Sequence, residues 1–287
     1  MTILEIKNLT HTYAGNGPFT NDAVHDVTFH IDEGEIIGII GHTGSGKSTL
    51  VQHLNGLLKP TNGTVLFENS DIWENPKEIR KIRSKVGLVF QYPEYQLFEE
   101  TVIADIAFGP KNMGLEGDEL DNTVKEICEI VGVKEEFFNK SPFDLSGGEK
   151  RRVAIAGVMA MKPKVIVFDE PTAGLDPSGR EDVMEIIRNY RNATGATVII
   201  ISHSMEDVAS LVDRVLVMSK GKCVMFDTVE NVFSNSNALT EIGLNVPIVT
   251  QVFAELEKQG ISITKKAFTV EMAVEILKQI KAGGGNA

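Results

Sequence analysis

Cysteine is scarce in this sequence of 287 residues, which contains only Cys128 and Cys223. The two cysteines match no spacing of metal-binding cysteines, so a zinc module is excluded, and we expect buried thiols in a reducing compartment. Long apolar runs are also missing, because stretches such as 165–168 and 198–201 fall far short of the roughly 18 residues of a membrane span. The N-terminus lacks the basic and apolar regions of a signal peptide. We therefore expect a cytoplasmic protein that is soluble or peripheral to a membrane.

Basic side chains are a minority, with 28 Lys and Arg against 40 Asp and Glu and a net charge of −12. Non-specific binding to nucleic acid depends on neutralising phosphates with basic side chains, so the composition argues against a DNA or RNA partner. Gly and Pro are near their average frequencies, at 26 and 10 residues, which excludes collagen-like and low-complexity chains. The remaining class is a globular protein, and the length predicts about two domains.

Short apolar strands alternate with helical segments through most of the chain. The predicted strands are 3–9, 24–31, 35–40, 64–68, 165–169, 197–202 and 214–218. The predicted helices are 47–58, 119–133, 145–161 and 178–194. The run 35–40 is continuously apolar, which is typical of a strand buried on both faces of a parallel sheet. The alternation of strand, helix and strand predicts a parallel α/β core.

The chain changes character after Asp227, where helical periodicity replaces this alternation. Two predicted helices, 247–259 and 269–282, each place apolar residues on one face. These residues are Ile248, Val252, Phe253 and Leu256 in the first helix, and Val270, Ala273, Val274, Leu277 and Ile280 in the second. We expect a small C-terminal unit whose apolar faces either pack against the chain or form a dimerisation surface. The terminal residues 283–287 are expected to be disordered.

A glycine-rich segment, GHTGSGKST, follows the apolar run 35–40 directly. Its glycines and Lys47–Ser48 satisfy the P-loop pattern in the required strand–loop–helix context. Backbone N–H groups and the helix N-terminus would surround phosphate oxygens, Lys47 would reach the β- and γ-phosphates, and Ser48 would coordinate Mg²⁺. For His42 we expect the backbone to matter more than the ring. The predicted nucleotide-binding residues are Gly41, His42, Thr43, Gly44, Ser45, Gly46, Lys47, Ser48 and Thr49.

A second apolar strand, 165–169, delivers two carboxylates in succession. Asp169 at its C-terminal end matches the carboxylate of P-loop NTPases that holds Mg²⁺. Glu170 would point in a different direction and serve as general base for an attacking water. An Asp-Glu pair after a strand is also a common solvated turn, and the P-loop upstream favours the catalytic interpretation.

The segment LSGGE, residues 145–149, opens another helix with small polar residues and so provides a second anion-binding helix start. A single active site does not need two phosphate-binding helix N-termini that are ~100 residues apart in the sequence. Here the chain resembles the ATP-binding cassette (ABC) ATPases, whose signature is LSGGQ and whose subunits sandwich ATP head to tail. The resemblance assigns nucleotide contacts to Ser146, Gly147, Gly148 and Glu149. Glu149 stands where Gln is usual, which is a mild departure.

Further motifs follow in the order that the ABC family has them. The resemblance makes Tyr13 the aromatic residue that stacks on adenine, and Gln91 the glutamine that contacts Mg²⁺ and the attacking water and signals to the membrane partner. It also makes Asp176 part of the loop that crosses the dimer interface, and His203 the histidine that contacts the γ-phosphate. By its residue type alone, Tyr13 would be a strand-edge tyrosine and His203 a structural histidine. The resemblance covers about residues 1–230.

The resemblance implies an α/β fold, an ABC-type P-loop NTPase domain with a parallel RecA-like core, an antiparallel β subdomain and a helical subdomain at about 95–161. It divides the chain into a nucleotide-binding domain, 1–228, and a small C-terminal α/β appendage, 229–287, which we expect to be a dimerisation unit. ATP and Mg²⁺ are the implied cofactors. The implied catalytic residues are Glu170, His203 and Gln91, and the implied metal ligands are Ser48, Gln91 and Asp169.

The stretches 90–115, 141–163 and 169–180 are similar to the ATPases of energy-coupling factor (ECF) transporters, as is 242–247 with the helices that follow it. The pattern is closer to the A′ (second) ATPase than to its paralogue. This similarity implies a vitamin importer at the cytoplasmic face of the cell membrane. The implied partners are a paralogous ATPase that forms a heterodimer with this chain, a transmembrane coupling protein and a membrane-embedded substrate-binding subunit, with no nucleic acid.

Several alternatives share part of this pattern. A conventional ABC importer ATPase has every catalytic motif, and a cobalt or nickel version of the ECF machine is compatible because another protein selects the substrate. A soluble ABC protein of DNA repair or translation predicts a coiled coil, zinc-type cysteine pairs or tandem cassettes, which this sequence lacks. A nucleotide-binding module without hydrolysis would be expected to lack Glu170 or His203.

Overall fold

Two sheets and a set of helices form the part of the chain that the computed structural model describes, residues 1–13, 21–259, 261, 263 and 265–282. The strands are β1 (Thr2–Tyr13), β2 (Asn21–Asp32), β3 (Ile36–Gly41), β4 (Asn62–Phe67), β5 (Ser70–Asp71), β6 (Val86–Val89), β7 (Val165–Asp169), β8 (Thr197–Ile201), β9 (Arg214–Ser219) and β10 (Lys222–Thr228). The helices are α1 (Lys47–Leu54), α2 (Ile79–Lys85), α3 (Val102–Asn112), α4 (Gly117–Val131), α5 (Gly147–Met159), α6 (Pro177–Thr194), α7 (Met205–Leu211), α8 (Val229–Ser234), α9 (Ser236–Glu241), α10 (Ile248–Lys258) and α11 (Val270–Ala282). None of these helices is long and apolar enough to cross a bilayer. The terminal segment for which we expect disorder lies outside the described residues.

The larger sheet has the strand order β10-β9-β3-β8-β7-β6, and its neighbouring strands are parallel except for β10 and β9. Every residue of β3, β7 and β8 is buried, which explains their continuously apolar sequences. The predicted parallel α/β core is confirmed. Because the strands are parallel, the carboxyl ends of β3, β6, β7 and β8 meet at one edge, where open α/β sheets bind their ligands.

The smaller sheet is antiparallel, with the strand order β2-β1-β4-β5. Its inner face packs against α1 and β3, and Ile6, Leu9, Leu50 and Leu54 lie in one fully buried apolar cluster. This sheet is the antiparallel subdomain that the resemblance implies. Strand β1 of this sheet ends at Tyr13, and this places Tyr13 beside helix α1.

The helical segment between β6 and β7 consists mainly of α3, α4 and α5. Helix α4 buries one face, formed by Leu120, Thr123, Val124, Ile127, Cys128 and Val131. These residues recur at intervals of three and four, as an amphipathic helix requires. Helix α4 packs against both α3 and α5, so its apolar face holds the three helices together. Helix α5 also contacts strand β6 of the large sheet.

The described part of the C-terminal segment is helical, and its two halves pack differently. Val232, Phe233 and Leu239 belong to the main core, whereas α10 and α11 form a separate small cluster with Phe253 and Ile276 at its centre. The strand component of the expected α/β appendage is not found among these described residues, because their apolar positions recur at helical spacing. Several residues of the predicted apolar faces stay exposed: Ile248, Val252, Val270, Val274 and Leu277.

Candidate functional site

The P-loop leaves β3 through two glycines that no other residue could replace without strain. Gly41 and Gly46 have φ angles of 155° and 102°, in the region that favours glycine. A Cβ at Gly41 would collide with the carbonyl oxygen of Met218, and a Cβ at Gly46 with that of Ala23. The loop therefore lies directly against β9 and β2, and the fold itself requires glycine at both positions.

Lys47 opens α1, and its side chain turns back across the P-loop. Its Nζ donates hydrogen bonds to the carbonyl oxygens of Gly41 at 2.7 Å and His42 at 3.0 Å. Burial lowers the pKa of Lys47, whereas the negative charges of Glu170 and Asp169 act in the opposite direction. The ammonium group thus lies in the field of two carboxylates, at the mouth of the loop where it would meet the phosphates of a nucleotide.

The two successive carboxylates after β7 have different surroundings. Asp169 is buried, which raises its pKa, and the nearby Ser48 hydroxyl opposes that shift. Glu170 has a left-handed backbone conformation, with φ of 51°, and its N–H donates to the carbonyl oxygen of Ile201 at 3.0 Å. A non-glycine residue adopts this conformation at an energetic cost, and such residues are concentrated at functional sites.

The two other predicted catalytic residues each contact one carboxylate oxygen of Glu170, Gln91 through a hydrogen bond and His203 at ion-pair distance. Gln91 Nε2 donates to Oε2 at 2.9 Å, and His203 Nε2 lies 2.7 Å from Oε1. Gln91 follows β6, Glu170 follows β7 and His203 follows β8, so neighbouring parallel strands deliver all three to one edge. The arrangement fixes the orientation of a carboxylate beside the P-loop, which is what a general base for water requires.

The signature segment forms a complete capping box at the start of α5. Glu149 Oε2 accepts hydrogen bonds from Ser146 N at 2.8 Å and Ser146 Oγ at 2.6 Å, and Ser146 Oγ accepts from Glu149 N at 3.4 Å. These bonds lower the pKa of Glu149 and give the carboxylate a role that suits Glu as well as Gln. A Cβ at Gly147 or Gly148 would meet nothing within 4 Å. The fold of this chain therefore leaves the space beside both glycines open.

Tyr13 and Asp176 lie at two other borders of the site. The Tyr13 hydroxyl lies 3.3 Å from Thr49 Oγ1 of the P-loop helix, and its ring meets the edge of His11 at 4.6 Å between centroids. Asp176 caps α6, because its Oδ1 accepts from Gly179 N at 2.8 Å. Within the described residues, no hydrogen bond joins the signature segment or Asp176 to the P-loop. The chain thus brings Tyr13 to its own P-loop and leaves the signature and Asp176 with local partners.

The ring of His42 has a fixed partner in the C-terminal segment. His42 Nε2 lies 2.6 Å from the carbonyl oxygen of Ile242, and a Cβ on Gly243 would press against the same ring. We expect the backbone of His42 to matter more than its ring, and the structure shows in addition that the ring contacts the C-terminal segment. No sequence signal could reveal this contact, since the two residues are 200 positions apart.

Residues 24–173 match the protein family described as ABC transporter. The chain belongs to this family. Energy-coupling factor transporter ATP-binding protein EcfA2 of Clostridium tetani is 51% identical to it over 278 residues, which are 96% of this chain and 96% of that protein. The cassette therefore belongs to the energy-coupling factor group of ABC ATP-binding proteins, as the resemblance predicts.

Two solved structures support the fold and the activity of the cassette. CbiO1 of Clostridium perfringens, part of the ABC transporter complex cbiONQ, matches with a TM-score of 0.75 and 37% identity, over 88% of this chain and 99% of that chain. The cassette MJ0796, a dimer in a post-hydrolysis state bound to ADP and Pi, matches with a TM-score of 0.71 and 30% identity, over 79% of this chain and 99% of that chain. The predicted ABC-type fold is confirmed, and the cassette is an ATPase that binds ATP.

Proposed function

We propose that this cassette is the ATP-hydrolysing subunit of an ECF-type importer at the cytoplasmic face of the cell membrane, and that it couples ATP binding and hydrolysis to uptake of vitamins or related micronutrients. The observation that carries the catalytic part is the carboxylate of Glu170, whose Oε2 accepts a hydrogen bond from Gln91 and whose Oε1 lies 2.7 Å from His203 Nε2. The transport part rests on the near full-length similarity to ECF proteins.

In this proposal the P-loop from Gly41 to Thr49 holds the phosphates of ATP, and Tyr13 stacks on the adenine. Glu170 accepts the proton of the attacking water, and its hydrogen bond with Gln91 and its contact with His203 keep the carboxylate oriented toward that water. His203 also donates to the γ-phosphate in the closed state. Burial lowers the pKa of Lys47, and the negative charges of Glu170 and Asp169 oppose that shift.

Mg²⁺ fits the donor set of Ser48, Asp169 and Gln91. A hydroxyl, a carboxylate and an amide oxygen are the hard oxygen ligands that Mg²⁺ prefers, and it completes its shell with phosphate oxygens and water. The Nε2 of Gln91 donates to Glu170, which leaves its amide oxygen free to accept or coordinate. When bound, the metal neutralises charge that develops on the transferring phosphoryl group.

Removal of the metal is expected to abolish turnover. In excess EDTA, ATP hydrolysis should fall to background, because Lys47 alone does not neutralise the phosphate charge. Addition of Mg²⁺ beyond the chelator should restore the rate. Steady hydrolysis measured in metal-free buffer would contradict the assignment of Ser48 and Asp169.

A groove between α2 and α3 is the surface that we propose for the transmembrane coupling protein. Its cavity of about 900 Å³ begins at the end of the segment 91–98, where Phe98 is 57% exposed, and continues past Phe108 and Met113. Arg80 and Arg83 of α2 form the opposite wall. An exposed apolar strip with a charged border is typical of a protein-binding groove, and this one adjoins the turn that follows Gln91.

We propose that the nucleotide-binding domain, 1–228, which includes the helical subdomain at about 95–161, pairs with a paralogous ATPase. Residues 229–287 are proposed to help hold that pair together. The exposed apolar residues of α10 and α11, among them Ile248 and Leu277, support this role because isolated helices bury such faces against a partner. The substrate is selected in this proposal by a separate membrane-embedded subunit.

The proposal is tested by Lys47→Ala in the complete transporter, reconstituted in vesicles with ATP supplied at the cytoplasmic face. Loss of the charge-assisted contact to phosphate should weaken ATP binding and abolish uptake of the transported vitamin. Lys125→Ala, on the exposed face of α4, is the control and should transport normally. ATP-driven uptake that survives Lys47→Ala would overturn the proposal, and uptake of cobalt or nickel ions instead of vitamins would correct the substrate class.

A further inference from the structure

Arg151 lies two residues after the capping box of the signature helix α5, and its side chain is only 5% exposed. Its guanidinium group binds the carboxylate of Glu94 with two hydrogen bonds, from Nε to Oε2 at 3.0 Å and from Nη2 to Oε1 at 2.8 Å. The carboxylate is also largely buried, at 16% exposure. A bidentate pair of this kind fixes orientation as well as distance.

The third nitrogen of the same guanidinium binds the turn that follows Glu170. Nη1 donates to the carbonyl oxygens of Ala173 at 3.0 Å and Pro171 at 3.4 Å. The turn is closed by Ala173 N, which donates back to the carbonyl oxygen of Glu170 at 3.1 Å. Arg151 therefore reaches, through two backbone carbonyls, the residue that carries the general base.

These contacts connect Arg151 to both chain segments that carry the hydrogen bond between Gln91 and Glu170. Glu94 follows Gln91 by three residues, in the short helical turn Pro93–Gln96, and Ala173 follows Glu170 by three residues. One guanidinium thus binds the side chain of Glu94 on the Gln91 side of that 2.9 Å bond and the backbone of the Pro171–Ala173 turn on the Glu170 side. Glu94 also belongs to the turn that leads into the groove proposed for the membrane protein, so a displacement of the groove would reach both residues through Arg151.

We propose that Arg151 is a positioning residue for hydrolysis: through Glu94 and the Pro171–Ala173 turn it sets the geometry of Gln91 and Glu170, and it links the signature helix and the groove to that geometry. This inference rests on the proposed function of Glu170 as general base. The neighbouring Arg152 offers a contrast, because it is 30% exposed and pairs with Asp182 of α6, away from both loops.

The test uses the assembled transporter carrying the double substitution Arg151→Met with Glu94→Leu. Removing only one partner of a buried ion pair leaves an unpaired charge, whereas replacing both by apolar residues of similar volume often preserves stability. The expected result is an unchanged thermal midpoint and an ATP Kd within about twofold of wild type, but a kcat lower by roughly 10- to 100-fold, because misplaced catalytic groups lose rate steeply. Arg152→Met with Asp182→Leu is the matched control and should keep the wild-type kcat.

A second measurement separates positioning from general structural support. In a Glu170→Gln background, the Arg151→Met and Glu94→Leu pair should lower kcat little further, because its effect passes through the group already removed.

If the double substitution does not fold, Arg151→Lys keeps the charge but not the bidentate fork, and it should lower kcat with an unchanged Kd. A folded variant with wild-type kcat, or a full additional loss in the Glu170→Gln background, overturns the proposal. Neither result depends on what is transported, so a failure here is distinct from a failure of the import function.

Discussion

Glu170→Gln is expected to slow ATP hydrolysis by about 10²- to 10⁴-fold, the contribution of a positioned general base, while ATP binding is retained. The substitution preserves the shape of the side chain but removes its ability to take a proton. A carboxylate also offers two accepting oxygens and an amide only one. In Glu170, Oε2 accepts a hydrogen bond from Gln91 Nε2 and Oε1 lies 2.7 Å from His203 Nε2, so the amide of Gln can keep only one of these two oxygen contacts.

The two effects are measured separately, as the equilibrium binding of ATP and as the rate of a single turnover. Glu185→Gln on the exposed face of α6 is a suitable control, and both parameters should match wild type. A Glu170→Gln variant with normal turnover would show that another group activates the water. Loss of binding without a change in the rate of bound ATP would show that Glu170 holds the nucleotide instead.

The buried strands of the large sheet could be predicted because a short, continuously apolar run between turn residues is typical of a strand covered on both faces. β3, β7 and β8 lie close to the predicted ranges. The short β6 and the edge strand β10 were not predicted, since four residues carry little pattern and β10 has a mixed, half-exposed sequence. Helix α1 ends at Leu54 rather than at residue 58, because Gly56 has a φ of 68° and ends the helical conformation.

The candidate site could be predicted to the extent that its residues belong to local motifs. The P-loop, the two carboxylates and the signature are runs of adjacent residues whose chemistry follows from their spacing. Arg151, Glu94 and the His42 contact with Ile242 have no such signal, because each depends on a pair of segments that only the fold brings together. Charged residues two positions beyond a motif are most often solvent-exposed, and the burial of Arg151 is visible only in three dimensions.

The head-to-tail arrangement predicts that a change in the signature of this chain disables the nucleotide site of its partner. In the proposed mixed pair, each ATP would be held by the P-loop of one subunit and the signature helix of the other. Ser146, Gly147 and Gly148 are exposed, and the space beside both glycines is open, as an approaching phosphate would require. The N-terminus of α5 can stabilise the negative charge of a phosphate group only if the space beside Gly147 and Gly148 stays free.

Ser146→Arg in this chain alone, paired with an unmodified paralogous ATPase, should reduce turnover at the partner's P-loop by about 10²-fold, comparable to the loss of one transition-state donor. The site built on Lys47 should keep its nucleotide, because its signature comes from the unmodified subunit. Ser146→Ala is the control that removes the helix cap without adding bulk, and it should cause the smaller loss expected of a cap. Each site is followed by trapping a photoactivatable ATP analogue with vanadate and identifying the labelled subunit. If the partner's site is labelled normally while the Lys47 site is lost, each signature serves its own subunit and the head-to-tail arrangement is wrong.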